Sequence, residues 1–257
     1  MPWIELEGAV NVRDLGGLAT EDGAKTVDGR LLRADNLQEL SATDVDRLVH
    51  GTGLTTVVDL RSSAELASEG PAPLDAVAAV QHVHYPVLPE RGDATDVVED
   101  VLLTRDDDDR SRYPGDPRCG HYLGYLEDRP EQVIGALRAV AHAPGAALVH
   151  CAAGKDRTGV VVALALRAAD VRPDAVIADY AATADRIEAV VERLRRSRTY
   201  ANDVNSKPIE AHRPRAETMA AFLEQMDARY GGVARWLDVH GFSVSDLRLL
   251  RAKLRTP

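Results

Sequence analysis

The sequence predicts an α/β fold: a mainly parallel central sheet flanked by helices, with a helix-rich C-terminal half. Three observations point to it. Short apolar runs at 30–34, 54–59, 80–86 and 146–150 read as buried strands. Segments of helical periodicity lie between and after them, and no internal repeat is present. Strands alternating with helices need crossover connections, which favour parallel pairing with helices on both faces.

The elements follow in order. Ser41-Ala42-Thr43-Asp44 and Ser62-Ser63-Ala64-Glu65 read as capping boxes that open helices near 42–50 and 63–69. Further helices are predicted at 119–128, 130–142, 157–170, 173–183, 184–198, 215–230, 233–240 and 243–254. The last is capped by Ser243-Val244-Ser245-Asp246. The acidic run Asp106, Asp107, Asp108 and Asp109, between Arg105 and Arg110, reads as a solvated loop. A chain of 257 residues reads as one domain, 1–257, able to bury roughly 75% of its unfolded surface.

Composition narrows the function. Net charge is −10, which argues against nucleic acid as a partner. Aromatics are 4%, so the core is expected to be built from Ala, Val and Leu. Two cysteines, Cys119 and Cys151, do not make a disulfide framework. A reactive thiol suits a reducing compartment. No apolar run reaches the length of a membrane span, and the N-terminus does not read as a cleavable signal. The expected location is the cytoplasm, with signal-less export still open.

The chemistry is concentrated in His150-Cys151-Ala152-Ala153-Gly154-Lys155-Asp156-Arg157-Thr158-Gly159. The run lies between an apolar strand at 146–149 and an apolar helix at 160–166. A loop from a strand's end to a helix's start directs its N–H groups at one spot, which suits an anion. Those dipoles and Arg157 stabilise a thiolate at Cys151. The pattern is a nucleophile in a phosphate-shaped cradle. Cys151 attacks phosphorus and carries it as a covalent intermediate. Arg157 offers a planar fork to two equatorial oxygens. Ala152, Ala153, Gly154, Lys155 and Thr158 complete the substrate-binding loop. Gly154 lets the backbone approach the anion, Thr158 donates to the sulfur, and His150 holds the loop through a backbone hydrogen bond. No metal or other cofactor is required, because Arg157 and the loop amides supply the positive charge.

This loop resembles that of the microbial protein tyrosine/serine phosphatase family, a group that includes secreted mycobacterial members and bacterial lipid phosphatases. Three other stretches carry the same resemblance: Asn11-Val12-Arg13-Asp14-Leu15-Gly16-Gly17, Val57-Val58-Asp59-Leu60-Arg61-Ser62, and Ala178-Asp179-Tyr180-Ala181-Ala182-Thr183. It runs from about residue 8 to the C-terminus and is weakest over 86–130. It implies hydrolysis of phosphotyrosine, and extends to phosphoserine, phosphothreonine or phosphoinositides. The expected partner is therefore a phosphorylated protein or a phosphoinositide. A phosphoinositide-specific lipid phosphatase is the alternative. A loop-cysteine sulfurtransferase and a non-catalytic phosphate-binding module are the remaining readings. Arg13 and Asp14 are placed near the loop by the resemblance; by sequence alone, Asp-Leu-Gly-Gly is a turn.

The general acid is the open assignment. Asp93, Asp96 and Asp116 lie in suitable loop territory. Asp156 is favoured because the loop itself aims it at the anion, whose charge raises a neighbouring carboxyl pKa. In myotubularin-type lipid phosphatases an Asp at the matching position serves as the acid. Asp59 is a supporting candidate that orients Arg157 or a helix N-terminus. Lys155 is one of only four lysines, with Lys25, Lys207 and Lys253. It either meets a further substrate phosphate or neutralises Asp156. Ile187, Val190, Val191 and Leu194 form the apolar stripe of an amphipathic helix, with Arg186, Glu188, Glu192, Arg193, Arg195 and Arg196 on the remaining surface. A polar break follows at 202–208. By resemblance, helices over about 184–213 form a movable lid; the alternative is a helix packed permanently on the core.

Overall fold

The computed structural model describes residues 3–89, 116–206 and 208–255. Among these, five strands form one sheet in the order β1-β2-β5-β3-β4. They are β1 (Arg13–Asp14), β2 (Leu31–Ala34), β3 (Leu54–Asp59), β4 (Gln81–His84) and β5 (Ala146–His150). Strands β2, β5, β3 and β4 are parallel, and β1 is an antiparallel edge. The four expected strands are present. The unexpected one, β1, is two residues long and falls in a run that reads locally as a turn.

The helices are α1 (Ala42–Asp46), α2 (Ser63–Glu69), α3 (Pro117–Asp128), α4 (Pro130–His142), α5 (Asp156–Ala168), α6 (Pro173–Ala182), α7 (Ile187–Arg196), α8 (Ala201–Asn205), α9 (Ala216–Tyr230), α10 (Val233–Val239) and α11 (Val244–Leu254). All three capping boxes are formed, with Ser41, Ser62 and Ser243 accepting from the third helical N–H. The helix expected over 184–198 is shorter. A 3₁₀ turn at Thr183–Arg186 re-aims the chain before α7. Part of the polar break forms the short helix α8.

Alternation along β5 shows why both faces are covered. Ala147 and Val149 enter one core with α4, α5 and α11, whereas Ala146 and Leu148 enter another with Leu48, Leu74 and Val80. The aromatics are few but concentrated: Tyr122, Tyr125, Tyr180, Tyr200, Phe222 and Trp236 are all buried. The core is therefore less purely aliphatic than the composition suggested. Arg193 is a correction of another kind, being buried rather than on the polar face of α7. Among the described residues, no helix is long and apolar enough to cross a membrane.

Parallel pairing brings β2, β3 and β5 to one edge at their C-terminal ends, with Asp59 and Ala34 both registered on His150. Loops leaving such an edge form the ligand crevice of an open α/β sheet.

Candidate active site

The loop 151–155 leaves β5 at this edge and enters α5. Its carbonyls are turned outward into the protein. The Cys151 carbonyl lies 3.3 Å from His150 Nδ1. The Ala152 carbonyl accepts from the Asn36 N–H at 2.9 Å. Asn11 Nδ2 donates to the Ala153 and Gly154 carbonyls at 3.0 and 3.2 Å, and Arg33 Nη2 donates to Gly154 at 2.6 Å. In a trans peptide the next N–H points opposite the carbonyl. Fixing four successive carbonyls to one side turns the following N–H groups to the other, an arrangement of the kind that suits an anion.

The scaffold behind the loop is ionic and buried. Asp179 sits between Arg13 Nε at 2.8 Å and Arg33 Nη1 at 2.5 Å. Arg13 also donates to the Asn11 side chain at 2.6 Å and to Thr183 Oγ1 at 3.1 Å. Burial, and then Arg33, lower the Arg13 pKa to about 10, so it stays protonated at neutral pH. Burial alone raises the Asp179 pKa, but the two guanidiniums hold it below its usual value. Asp14 points the other way on β1 and caps the turn, accepting from the Gly16 and Gly29 N–H groups at 2.9 and 2.6 Å. It supports the N-terminal turn that Asp-Leu-Gly-Gly reads as by sequence alone, and of the two residues expected near the loop it is Arg13 that is linked to it, through Asn11.

The fold gives Gly154 a further reason beside the expected approach of backbone to an anion. Its φ is +65°, and a Cβ there would lie 2.4 Å from the Ala34 carbonyl oxygen. Its constraint is left-handed backbone against β2.

Cys151 is fully buried and accepts a hydrogen bond from Thr158 Oγ1 at 3.2 Å. Arg157, also buried, donates from Nη1 and Nη2 to the two Glu65 oxygens at 2.7 and 2.8 Å. Burial raises the Glu65 pKa, but Arg157, with the Ser62 N–H and Arg61, holds it below its usual value. Glu65 is thus the orienting partner that Asp59 was expected to be. Asp59 instead pairs with Arg61 at 2.5 Å and lies 3.4 Å from His150 Nε2. Against the effect of burial, these two hold its pKa well below the ordinary range.

Asp156 opens α5 and meets α3 and the loop. Its Oδ1 accepts from the Tyr122 hydroxyl of α3, and its Oδ2 lies 3.3 Å from Lys155 Nζ. Burial raises its pKa, but Lys155 and Arg118, with the Tyr122 hydrogen bond, lower it to about 2. The protein's own groups therefore act against the expected rise, which needs the added charge of a phosphate. Lys155 also donates to the His212 carbonyl at 2.9 Å. Arg118 donates to the flanking Ala211 and Arg213 carbonyls at 3.0 and 3.2 Å.

Of the other acid candidates, Asp116 does not join this cluster. Asp116 caps α3 and accepts from Thr218 Oγ1 at 2.6 Å and from Arg215 at 3.1 Å. Asp93 and Asp96 lie outside the described residues, as does the acidic run 106–109.

Helix α7 packs its apolar stripe on the loop. Ile187, Val190, Val191 and Leu194 cluster with Ala152, Tyr200 and Val204, and Ala153 lies against them. Arg193 of α7 binds the Asp35 carboxylate after β2, the Asn36 carbonyl at 3.2 Å and Glu39 at 3.2 Å.

Glu65, Arg33 and Tyr122 were not singled out as site residues by the sequence. Arg33 carried a signal, since a charge inside a strand buried on both faces needs a partner. Glu65 was visible only as a cap.

The profile described as the tyrosine phosphatase family matches residues 4–256. The chain is 31% identical over 277 aligned positions to the triple specificity protein phosphatase PtpB of Mycobacterium tuberculosis, covering 97% of this chain and 98% of that one. It is 27% identical over 228 positions to a tyrosine-protein phosphatase of Nostoc commune, covering 87% of this chain and 73% of that relative.

Proposed function

The chain belongs to the tyrosine phosphatase family, and from this we propose that it hydrolyses phosphate monoesters through a phosphocysteine at Cys151. The observation that carries the reading is the loop with its carbonyls fixed outward around a buried cysteine.

The Cys151 sulfur attacks phosphorus opposite the ester oxygen, and the P–O bond breaks as the S–P bond forms. Arg157, its plane oriented by Glu65, holds two equatorial oxygens, and the loop amides hold the charge that builds on the phosphoryl group. Asp156 gives a proton to the leaving oxygen. The bound phosphate raises its pKa from the low value that Lys155 and Arg118 impose. Water then attacks phosphorus, Asp156 takes back a proton, and the thiolate leaves, eased by the Thr158 hydroxyl. Each step uses side chains and backbone amides of the chain itself.

Phosphotyrosine is the proposed first substrate. Phosphoserine, phosphothreonine and phosphoinositides form a second class, favoured by the two cations Lys155 and Arg118 acting on Asp156. Helices over about 184–213 are proposed as the cover that opens for substrate, since α7 packs on Ala152 and Ala153. The family match speaks against the sulfurtransferase reading.

The test is Cys151→Ser with p-nitrophenyl phosphate and with vanadate. Turnover is expected to vanish while vanadate still binds. Hydrolysis near the wild-type rate would falsify the mechanism. A panel of phosphotyrosine peptides, phosphoserine peptides and phosphoinositides then separates the substrate classes.

A further inference from the structure

We infer that Tyr122 is a positioning residue for the acid–base step: its hydroxyl, backed by Tyr180, holds the Asp156 carboxyl in place and sets the pH at which it transfers its proton. The inference rests on the reading of Asp156 as the general acid.

The geometry is a directed chain. Tyr122 of α3 donates to Asp156 Oδ1. A phenol has one hydrogen, so the Tyr122 oxygen is left as an acceptor. The Tyr180 hydroxyl of α6 lies 2.7 Å away and donates to it. The order Tyr180, Tyr122, Asp156 therefore runs one way, and each bond polarises the next. Both phenols are buried, and burial together with the Asp156 charge raises their pKa values. They stay neutral at working pH, so each keeps the one proton it donates along the chain.

The groups facing Asp156 come from three places. Tyr122 and Arg118 come from α3, Lys155 from the loop, and Tyr180 from α6 through Tyr122. From the segment 211–213, the three carbonyls accept from Lys155 and Arg118. The His212 ring lies 3.3 Å from the Val204 carbonyl instead. The cations act by charge, whereas Tyr122 is the group that fixes Oδ1. With Lys155 on Oδ2, the carboxyl cannot rotate without breaking a contact. A neutral donor also does not compete with Arg157 for the phosphoryl oxygens, as a further cation would.

The test is kcat against pH for a phosphotyrosine peptide in the wild type, Tyr122→Phe, Tyr180→Phe and Asp156→Asn. Phenylalanine keeps the ring packing of Tyr122 against Tyr125 and Phe222, and circular dichroism checks the fold. Removing a donor to the ionised carboxylate raises its pKa. The alkaline limb, lost in Asp156→Asn, is expected to move up by about one pH unit in Tyr122→Phe and by less in Tyr180→Phe. A Tyr122→Phe limb at the wild-type position, with or without a lower kcat, overturns the proposal and leaves the acid role of Asp156 standing. A larger shift in Tyr180→Phe than in Tyr122→Phe overturns it too. If Asp156→Asn keeps the limb, the acid assignment itself fails and takes this proposal with it.

Discussion

Glu65 and Arg157 share one carboxylate with a helix cap. The Glu65 oxygens take both Arg157 Nη groups at 2.7 and 2.8 Å, and one of them also accepts the Ser62 N–H at 2.7 Å to close the capping box of α2. The helix start and the guanidinium plane are thus fixed by the same group. A cap is normally a solvent-side device, but here it is buried.

Glu65→Gln keeps the shape and removes the charge. It leaves Arg157 buried with a neutral acceptor and frees its plane to rotate. The expected loss in kcat is about 100-fold, the scale of a misplaced reacting group, with a smaller change in KM. Steady-state kinetics on p-nitrophenyl phosphate checks it. An unchanged kcat would mean that the loop alone orients Arg157.

Asp156→Asn tests the acid through the leaving group. An activated aryl leaving group needs little protonation, and a phosphotyrosine oxygen needs more. The loss in kcat is therefore expected to be larger on phosphotyrosine than on an activated aryl phosphate. Equal losses across leaving-group pKa would remove Asp156 from the role, and Asp93 would be the next residue to replace.

Lys155→Ala separates two uses of one ammonium. If Lys155 meets a second substrate phosphate, kcat/KM falls more for a phosphoinositide than for a phosphotyrosine peptide. One charge-assisted contact predicts a difference of roughly 10- to 150-fold. Equal losses would assign Lys155 to its contacts with Asp156 and the His212 carbonyl.

Much of this was readable in the sequence because it is local. The strands, the capping boxes and the order of loop residues 151–158 depend on neighbours a few positions away. What could not be read is long-range. Glu65 is 92 positions from Arg157, and Asp179 is 146 from Arg33. No periodicity couples such pairs. The charged neighbours of Arg193 on α7 point to a surface position, and its burial is explained by Asp35, Asn36 and Glu39, the first 158 positions away. Gly154 shows a subtler limit. The residue type follows from the loop motif, but a second reason for it lies in β2, which the motif does not contain.

The Arg13–Asp179–Arg33 group gives a pH signature in stability. The folded pKa of Asp179 is depressed. Its contribution is thus present above the unfolded carboxylate pKa of about 3.9 and is lost as pH falls through the folded value. Asp179→Asn leaves two buried guanidiniums without their counter-charge and is expected to cost about 3–5 kcal/mol at pH 7. The gap to the wild type should narrow as pH drops below about 4. Urea unfolding at pH 7 and pH 3 checks this, and a gap that does not change with pH would contradict it.

Access to Cys151 gives the last test. The sulfur is fully buried beneath a loop on which α7 packs, so any reagent must wait for an opening. Arg193 ties α7 to Asp35, Asn36 and Glu39 at the end of β2. Arg193→Ala cuts that tie while leaving the apolar stripe intact. If α7 is the gate, the open state should become about 10- to 100-fold more populated, the range for losing a charged hydrogen bond. Alkylation by iodoacetamide reads this directly. The second thiol, Cys119, does not compete, because burial and the Asp116 charge push its pKa up to about 11. Inactivation in Arg193→Ala should therefore accelerate, and vanadate should protect Cys151. An unchanged alkylation rate would show that α7 stays fixed and that substrate enters by another route.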